Sequence, residues 1–252
     1  MSAVDVLRPP VRLVRAWVRR HNGWLINDLQ RRYNFNQLQR FDAVLTRHGR
    51  SFRTCSSIFD FGCGPGRLTQ HLAALAPAAS VFGCDVRREA VAECRRRCPW
   101  GRFVVNRATP PLDVEDAAFD LIYSYSVFTH LTEPNHKAWL KELARMLQPG
   151  GVMLHTVHSY EYLRRTAAFS PESLEKYRFT EPVDSFIRSG RDYLYVVDDP
   201  ATPEYGYTVM RKEYVLDIWP RESGLALVDY VEGAIESYPE GCQDLVVLQK
   251  GG

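Results

Sequence analysis

Asp60, Gly62, Gly64 and Gly66 stand at every second position, directly after the apolar run Ser57-Ile58-Phe59. Glycine tolerates positive φ and lets a backbone approach a ligand with no Cβ in the way. Behind the last glycine, Leu68-Thr69-Gln70-His71-Leu72-Ala73-Ala74-Leu75 reads as a helix. The first N–H groups of a helix have no partner within it and can serve a polar ligand. A strand, a glycine turn and a helix in that order predict a site for a nucleotide-like cofactor. A dinucleotide asks for G-x-G-x-x-G, and the spacing here departs from that pattern.

Proton transfer has its own candidates. A neutral imidazole is the usual base near pH 7. His130, His155 and His158 fall at or just past the ends of runs that read as strands, whereas His136 lies along a predicted helix and reads as solvated. If the strand stays regular, His155 and His158 point to opposite faces.

The stretch Asp60-x-Gly62-x-Gly64-x-Gly66 resembles the first motif of the class I S-adenosylmethionine-dependent methyltransferases. Three more segments resemble that family at its intervals. Ser80-Val81-Phe82-Gly83-Cys84-Asp85-Val86 is a short strand ending in an acid, with Asp85 19 residues after Gly66. Phe119 to Leu131 resembles the fourth strand and the helix it feeds. Trp139 to His155 resembles a helix, the stop Leu147-Gln148-Pro149-Gly150-Gly151 and a fifth strand. The resemblance covers residues 50–160 firmly and the rest loosely.

The resemblance implies an α/β fold: a Rossmann-like seven-stranded, mostly parallel sheet with helices on both faces, its last strand antiparallel and closing the sheet. It implies S-adenosylmethionine as cofactor and S-adenosylhomocysteine as product. It assigns Asp60, Gly62, Gly64, Gly66, Asp85, Val86 and Ser124 to the cofactor, with Asp85 accepting the ribose hydroxyls. Many relatives carry an acid for the adenine amino group where this chain has Ala108. Asn106, or a backbone group near Ala108, is expected to meet the adenine instead. The strand Gly151-Val152-Met153-Leu154-His155-Thr156 also resembles that of the cyclopropane fatty acid synthases, where a His lines the site. His130, His155 and His158 stay open as the base.

The elements around these residues follow from pattern. Strands at 57–61, 81–85, 102–106, 119–125 and 151–157 alternate with helices, which predicts a parallel sheet covered on both faces. Residues 1–50 read as a cap of two or three helices carrying Trp17, Trp24, Tyr33, Phe35 and Phe41, and 51–252 as the main domain. Residues 159–210 break the rhythm with four prolines and ten aromatics, from Tyr160 to Tyr207. An insertion this long is more often functional than idle, and it reads as a substrate lid, with an extra packing layer or a dimer interface as the alternative. A helix at 211–219 and strands at Leu225–Glu232 and Gln243–Gln249 follow.

Composition narrows the function. The chain has 252 residues and a formal net charge of +2. Residues 1–50 hold ten Arg, no Lys and three Asp, 10 − 3 = +7. The helical run Val11–Arg20 in that part could meet an anionic substrate, resembles the start of a mitochondrial transit peptide, or is simply solvated. No apolar run approaches the roughly 20 residues of a membrane span, and Met1-Ser2-Ala3-Val4-Asp5 does not begin a signal peptide. The six Cys form no C-x-x-C pair, so reduced thiols in a cytoplasmic protein are expected, with no metal site supported. The 27 Arg against 5 Lys suggest a GC-rich bacterial genome.

Acceptor chemistry is bounded by what is missing. Nucleic-acid amino methyltransferases show N/D-P-P-Y/F where this chain has Ser124-Tyr125-Ser126-Val127, so no nucleic-acid partner is expected. The texture resembles small-molecule methyltransferases of natural-product and glycan pathways. The expected reaction is O-methylation of a small hydroxylated molecule, a sugar or glycoside foremost. N- or C-methylation, a dinucleotide oxidoreductase and a non-catalytic cofactor-binding module are the rivals. Oligomeric state stays open, a dimer included.

Overall fold

The central strands read as near-continuous apolar runs because both of their faces are covered. In the computed structural model, which describes residues 23–169, 183–203, 205–237 and 241–252, β1 (Ser57–Phe61), β2 (Ser80–Asp85), β3 (Arg102–Val105), β4 (Phe119–Ser124) and β5 (Leu147–Val157) are all parallel. The sheet has seven strands in the order β3-β2-β1-β4-β5-β9-β8. This is the Rossmann-like methyltransferase sheet that the sequence predicts, and the chain reverses direction of growth between β1 and β4. Ligands of such sheets bind at the carboxyl ends of the strands, at that switch.

Alternate residues feed two cores. Ile58, Leu121, Tyr123, Val152 and Leu154 face α1 (Gly23–Arg47) and α3 (Arg88–Arg97), where Leu38, Phe41, Val91 and Cys94 are buried with them. Phe59, Phe61, Phe119, Ile122 and Met153 face α4 (Glu133–Met146) and α7 (Lys212–Ser223), against Trp139, Leu143, Val215 and Trp219. Each such large apolar side chain contributes about 1.5–3 kcal/mol on burial. The Tyr123 ring takes edge contacts from Phe41 and Phe52, centroids 6.0 and 5.7 Å away. Residues 23–47 are thus one helix, packed on the main core as expected of the N-terminal segment; the rest of the expected helical cap, residues 1–22, lies outside the described residues. The basic run Val11–Arg20 lies outside the described residues.

Two expectations change, and the insertion takes shape. The helix expected at 68–75 is a 3-10 turn at Thr69–His71 and a single α turn, α2 (Leu72–Leu75). Gly66 at φ +75° keeps the entry in a turn, and Pro77 stops the exit, since the residue before a proline avoids the helical region. The antiparallel strand β9 (Gly241–Gln249) does not close an edge; it lies between β5 and β8 (Ala226–Ser237). The insertion is folded in its own right: α5 (Tyr160–Phe169), α6 (Val183–Arg188) and a hairpin, β6 (Tyr193–Val197) with β7 (Gly206–Met210). Tyr160, Leu163, Phe186 and Val209 make a small core of its own. Residues 170–182, with Tyr177 and Phe179, fall outside the described part. No described helix is long and apolar enough to cross a membrane.

Candidate active site

The glycine turn is built on positive φ at all three glycines, +80°, +52° and +75° for Gly62, Gly64 and Gly66. The first and last are needed for close packing as well. A Cβ on Gly62 would lie 2.2 Å from Val127 Cγ2, and one on Gly66 would lie 3.0 Å from Cys94 Sγ. So β1 meets the loop after β4 on one side and α3 on the other. At Gly64 a Cβ would meet nothing closer than Arg87 Nη2 at 3.7 Å. That glycine leaves space at the carboxyl edge, as a cofactor cradle requires.

Asp60 does not reach that space. Its side chain is buried beneath the turn, and Oδ2 accepts from Thr69 Oγ1 at 2.7 Å and from Tyr123 Oη at 2.5 Å. Burial pushes its carboxyl up from 3.8 to about 7, against the pull of those two donors. Asp60 therefore ties the segment behind the glycines to β4; it positions the turn.

Asp85 ends β2 at the edge. Its Oδ2 accepts the Gly64 N–H at 2.9 Å, and its Oδ1 accepts Arg87 N–H at 2.9 Å and Arg87 Nε–H at 3.3 Å. Arg87 is two-thirds exposed and Asp85 is 9% exposed, so the acid is held in place at the edge while its partner reaches into solvent. Val86, next in the chain, is 48% exposed and offers apolar surface beside the acid. Along the edge at β3, Asn106 Nδ2 donates to Arg107 O, while its buried Oδ1 has no partner. The Ala108 carbonyl already accepts from Trp139 Nε1 at 2.8 Å. Of the two adenine candidates, Asn106 carries the unmatched acceptor, which suits an exocyclic amino donor.

Comparison with known proteins agrees with this geometry. Residues 58–151 match the family described as "Methyltransferase domain". Residues 58–151 therefore match a methyltransferase domain, and the sheet around them has the class I methyltransferase fold. A trans-aconitate 2-methyltransferase of Methylobacterium nodulans is 33% identical over 126 residues, 45% of each chain. One of Variovorax paradoxus is 32% identical over 125 residues, 50% of this chain and 46% of the relative. The chain spans about half the length of the curated relatives it matches. Among solved structures, an S-adenosylmethionine-dependent methyltransferase of Mesorhizobium loti superposes with a TM-score of 0.60 at 17% identity, over 81% of this chain and 95% of that one. The Burkholderia thailandensis 1,6-didemethyltoxoflavin-N1-methyltransferase, with its substrate and S-adenosylhomocysteine bound, gives 0.56 at 15% identity, over 96% and 87%. At these identities the structural likeness speaks for the fold.

The cofactor that the motifs and the methyltransferase-domain match imply is S-adenosylmethionine. It supplies a methyl group already activated on a sulfonium, so the protein must orient the acceptor and exclude water. Gly64, Asp85, Val86 and Asn106 are the residues whose free space, acceptors and apolar surface fit it.

The fold separates the histidines. His155 points from β5 into the layer under α4 and α7, its ring 4.7 Å from Phe128 and 5.9 Å from Trp219. Its Nδ1 is bound to Ser124 Oγ at 2.8 Å, and burial pushes its pKa down to about 3. The Ser124 side chain is thereby turned into the same layer and away from the cofactor edge. His136 is not solvated: it is fully buried among Phe128, Trp219 and Tyr193, and burial holds it near 3. His158 is buried, stacked on Tyr162 at 3.8 Å, and its pKa is pushed well down by burial and by His130.

His130 alone of these stands at the edge. Its Nδ1 lies 2.8 Å from Gly206 O; a carbonyl only accepts, so Nδ1 carries the proton and the lone pair is on Nε2. The hairpin is docked here. Thr208 N–H donates to Thr129 O at 2.8 Å, and Thr208 Oγ1 donates to Leu131 O at 2.6 Å. Tyr205, from the turn before β7, stacks on the His130 ring and comes within the electrostatic reach of Arg87 and Asp85. The hairpin thus brings an aromatic ring over the cofactor edge. Ser126, at φ +58°, is a second residue that the motifs do not single out. Its N–H donates to Thr156 Oγ1, and its Oγ accepts from Gln243 Nε2. A left-handed serine between two such anchors is backbone strain held at the strand end, a common mark of a working site. Among the described residues no His, Cys, Asp and Glu cluster suits a metal.

Proposed function

We propose that this chain moves the methyl group of S-adenosylmethionine to an oxygen of a small polar acceptor, a hydroxyl of a sugar or glycoside foremost, with His130 as general base. The observation that carries the reading is the His130 tautomer. Its Nδ1–H is committed to Gly206 O and its ring lies under Tyr205, which fixes the imidazole at the carboxyl edge with Nε2 as its basic nitrogen. His155 and His158 support it less. Their rings are sealed in, and the imidazolium that a base must become is what their burial resists.

A second reading takes its support from the relatives' names. Trans-aconitate is a polycarboxylate, and its oxygens are carboxylate oxygens that need no deprotonation. On this reading His130 shapes the lid and no base is required. The matched region spans less than half of those relatives, so the acceptor is a proposal in both readings. The insertion at 159–210 is the segment that would select it.

Turnover of His130→Gln separates the two. An acceptor panel of sugars, glycosides and small polycarboxylates is run with labelled S-adenosylmethionine, and the variant is assayed on whatever the wild type accepts. Loss of a general base lowers kcat about 10²- to 10⁴-fold, with S-adenosylhomocysteine affinity intact. A variant within threefold of wild type on a hydroxyl acceptor sinks the base assignment. Cofactor binding with no transfer to any member would favour a non-catalytic module.

A further inference from the structure

The inner face of α1 changes character along its length. In the second half it is apolar, with Leu38, Phe41, Val44 and Leu45 all buried. One turn earlier it is polar, with Asn34 4% and Gln37 1% exposed. Asn34 has a partner, since its Oδ1 accepts from Gln30 Nε2. Gln37 has none: neither Oε1 nor Nε2 makes a hydrogen bond. A buried amide with both ends unmatched costs folding free energy that no contact among the described residues returns.

Its neighbours locate it. Tyr33, four residues before, meets Tyr125 hydroxyl to hydroxyl at 3.3 Å. Phe41, four residues after, meets the Tyr123 ring at 6.0 Å. Residues four apart lie one above the other on a helix, so Gln37 stands between those contacts, over the end of β4. There the loop after β4 touches the glycine turn through Val127 and Gly62.

The strands order the rest. Asn106 follows β3, Asp85 ends β2, the glycines follow β1 and Tyr125 follows β4, and these four strands are neighbours in that sequence. With adenine at Asn106 and ribose at Asp85, the remaining arm of the cofactor runs past the glycine turn toward β4. That arm ends in an α-ammonium and an α-carboxylate. We propose that Gln37 binds this amino-acid end, with Nε2–H donating to the carboxylate and Oε1 accepting from the ammonium. The proposal rests on the cofactor lying along the edge as the site geometry suggests.

Calorimetric titration with two probes tests it. S-adenosylhomocysteine carries the amino-acid end, and 5′-methylthioadenosine lacks it. Gln37→Leu, with Gln37→Met as a second variant of equal length, should bind S-adenosylhomocysteine at least tenfold more weakly and 5′-methylthioadenosine within twofold of wild type. The ligand-free variants should melt no lower than wild type, because an unmatched buried amide has been removed. Unchanged S-adenosylhomocysteine affinity overturns the assignment, and so does an equal loss for both probes. Wild-type protein that binds neither probe would instead sink the cofactor placement beneath it.

Discussion

The imidazole of His130 lies parallel to the phenol ring of Tyr205, centroids 4.8 Å apart and planes 10° from parallel. The two rings belong to different parts of the chain, one after β4 and one at the tip of the β6–β7 hairpin. Their stack joins the proposed base to the proposed lid. Tyr205→Ala should raise KM for the cofactor or acceptor about three- to tenfold, the scale of one aromatic contact of roughly 1 kcal/mol. Tyr205→Phe should stay near wild type, since it keeps the ring. Steady-state kinetics on both variants decides whether ring or hydroxyl matters.

Asp60 should make the fold more stable in acid. Its carboxyl titrates near 7 in the folded chain against 3.8 in an unfolded one. Between those values the folded state holds the extra proton, so this contribution is full below about pH 4 and is lost as pH rises toward 7. Asp60→Asn cannot ionise and removes the decline. Melting temperatures from pH 4 to 8 should show the difference, variant minus wild type, rising with pH. A difference that stays level would mean that the carboxylate is charged in the fold throughout.

Gly62→Ala combines two penalties. Its Cβ would overlap Val127 Cγ2, and φ is +80°. Overpacking costs about 1–3 kcal/mol and a left-handed L-residue about 1–2 kcal/mol more. Adding Val127→Ala should return the first share and leave the second. Urea unfolding of the single and double variants measures both shares, and complete recovery in the double variant would refute the backbone part.

Asn106→Leu should weaken S-adenosylhomocysteine binding about three- to tenfold, the worth of one hydrogen bond of about 0.5–1.5 kcal/mol. Asn106→Asp keeps the acceptor and should bind at least as well as wild type. Isothermal titration of both variants checks it. If the leucine variant binds normally, the adenine amino group is met elsewhere.

The sheet was legible because its signals are local. The apolar run to Phe61, the glycines, the acid at Asp85 and the stop at Pro149-Gly150-Gly151 each dictate a short piece of backbone. What escaped depends on packing between distant segments. Asp60 and Asp85 are alike in type and position, each at a strand end, yet one is bound by Thr69 and Tyr123 beneath the turn while the other accepts from Gly64 and Arg87 at the edge. His136 looks like a surface residue on α4 until Trp219 and Tyr193, some 80 and 57 positions away, close over it. Three histidines near strand ends were equivalent by type. Only the pleat of β5 and the docking of the hairpin distinguish an edge His130 from an interior His155. Gln37 left a faint trace in the pattern: an amide on the buried stripe of α1, where the period calls for an apolar side chain.

The placement of β9 inside the sheet sets the terms on which the insertion can vary. Val152 on β5 pairs with Gln249 on β9, so everything between them, lid included, is a loop whose ends are held by strand pairing. Doubling the length of such a loop costs only about 0.6 kcal/mol in closure entropy. The segment proposed to select the acceptor can therefore lengthen, shorten or be rewritten while the ladder beneath it keeps its register. The residues proposed to hold the cofactor, Gly64, Asp85, Val86, Asn106 and Gln37, all precede that loop in the chain. A chain wired this way can exchange one acceptor for another without renegotiating its hold on the methyl donor.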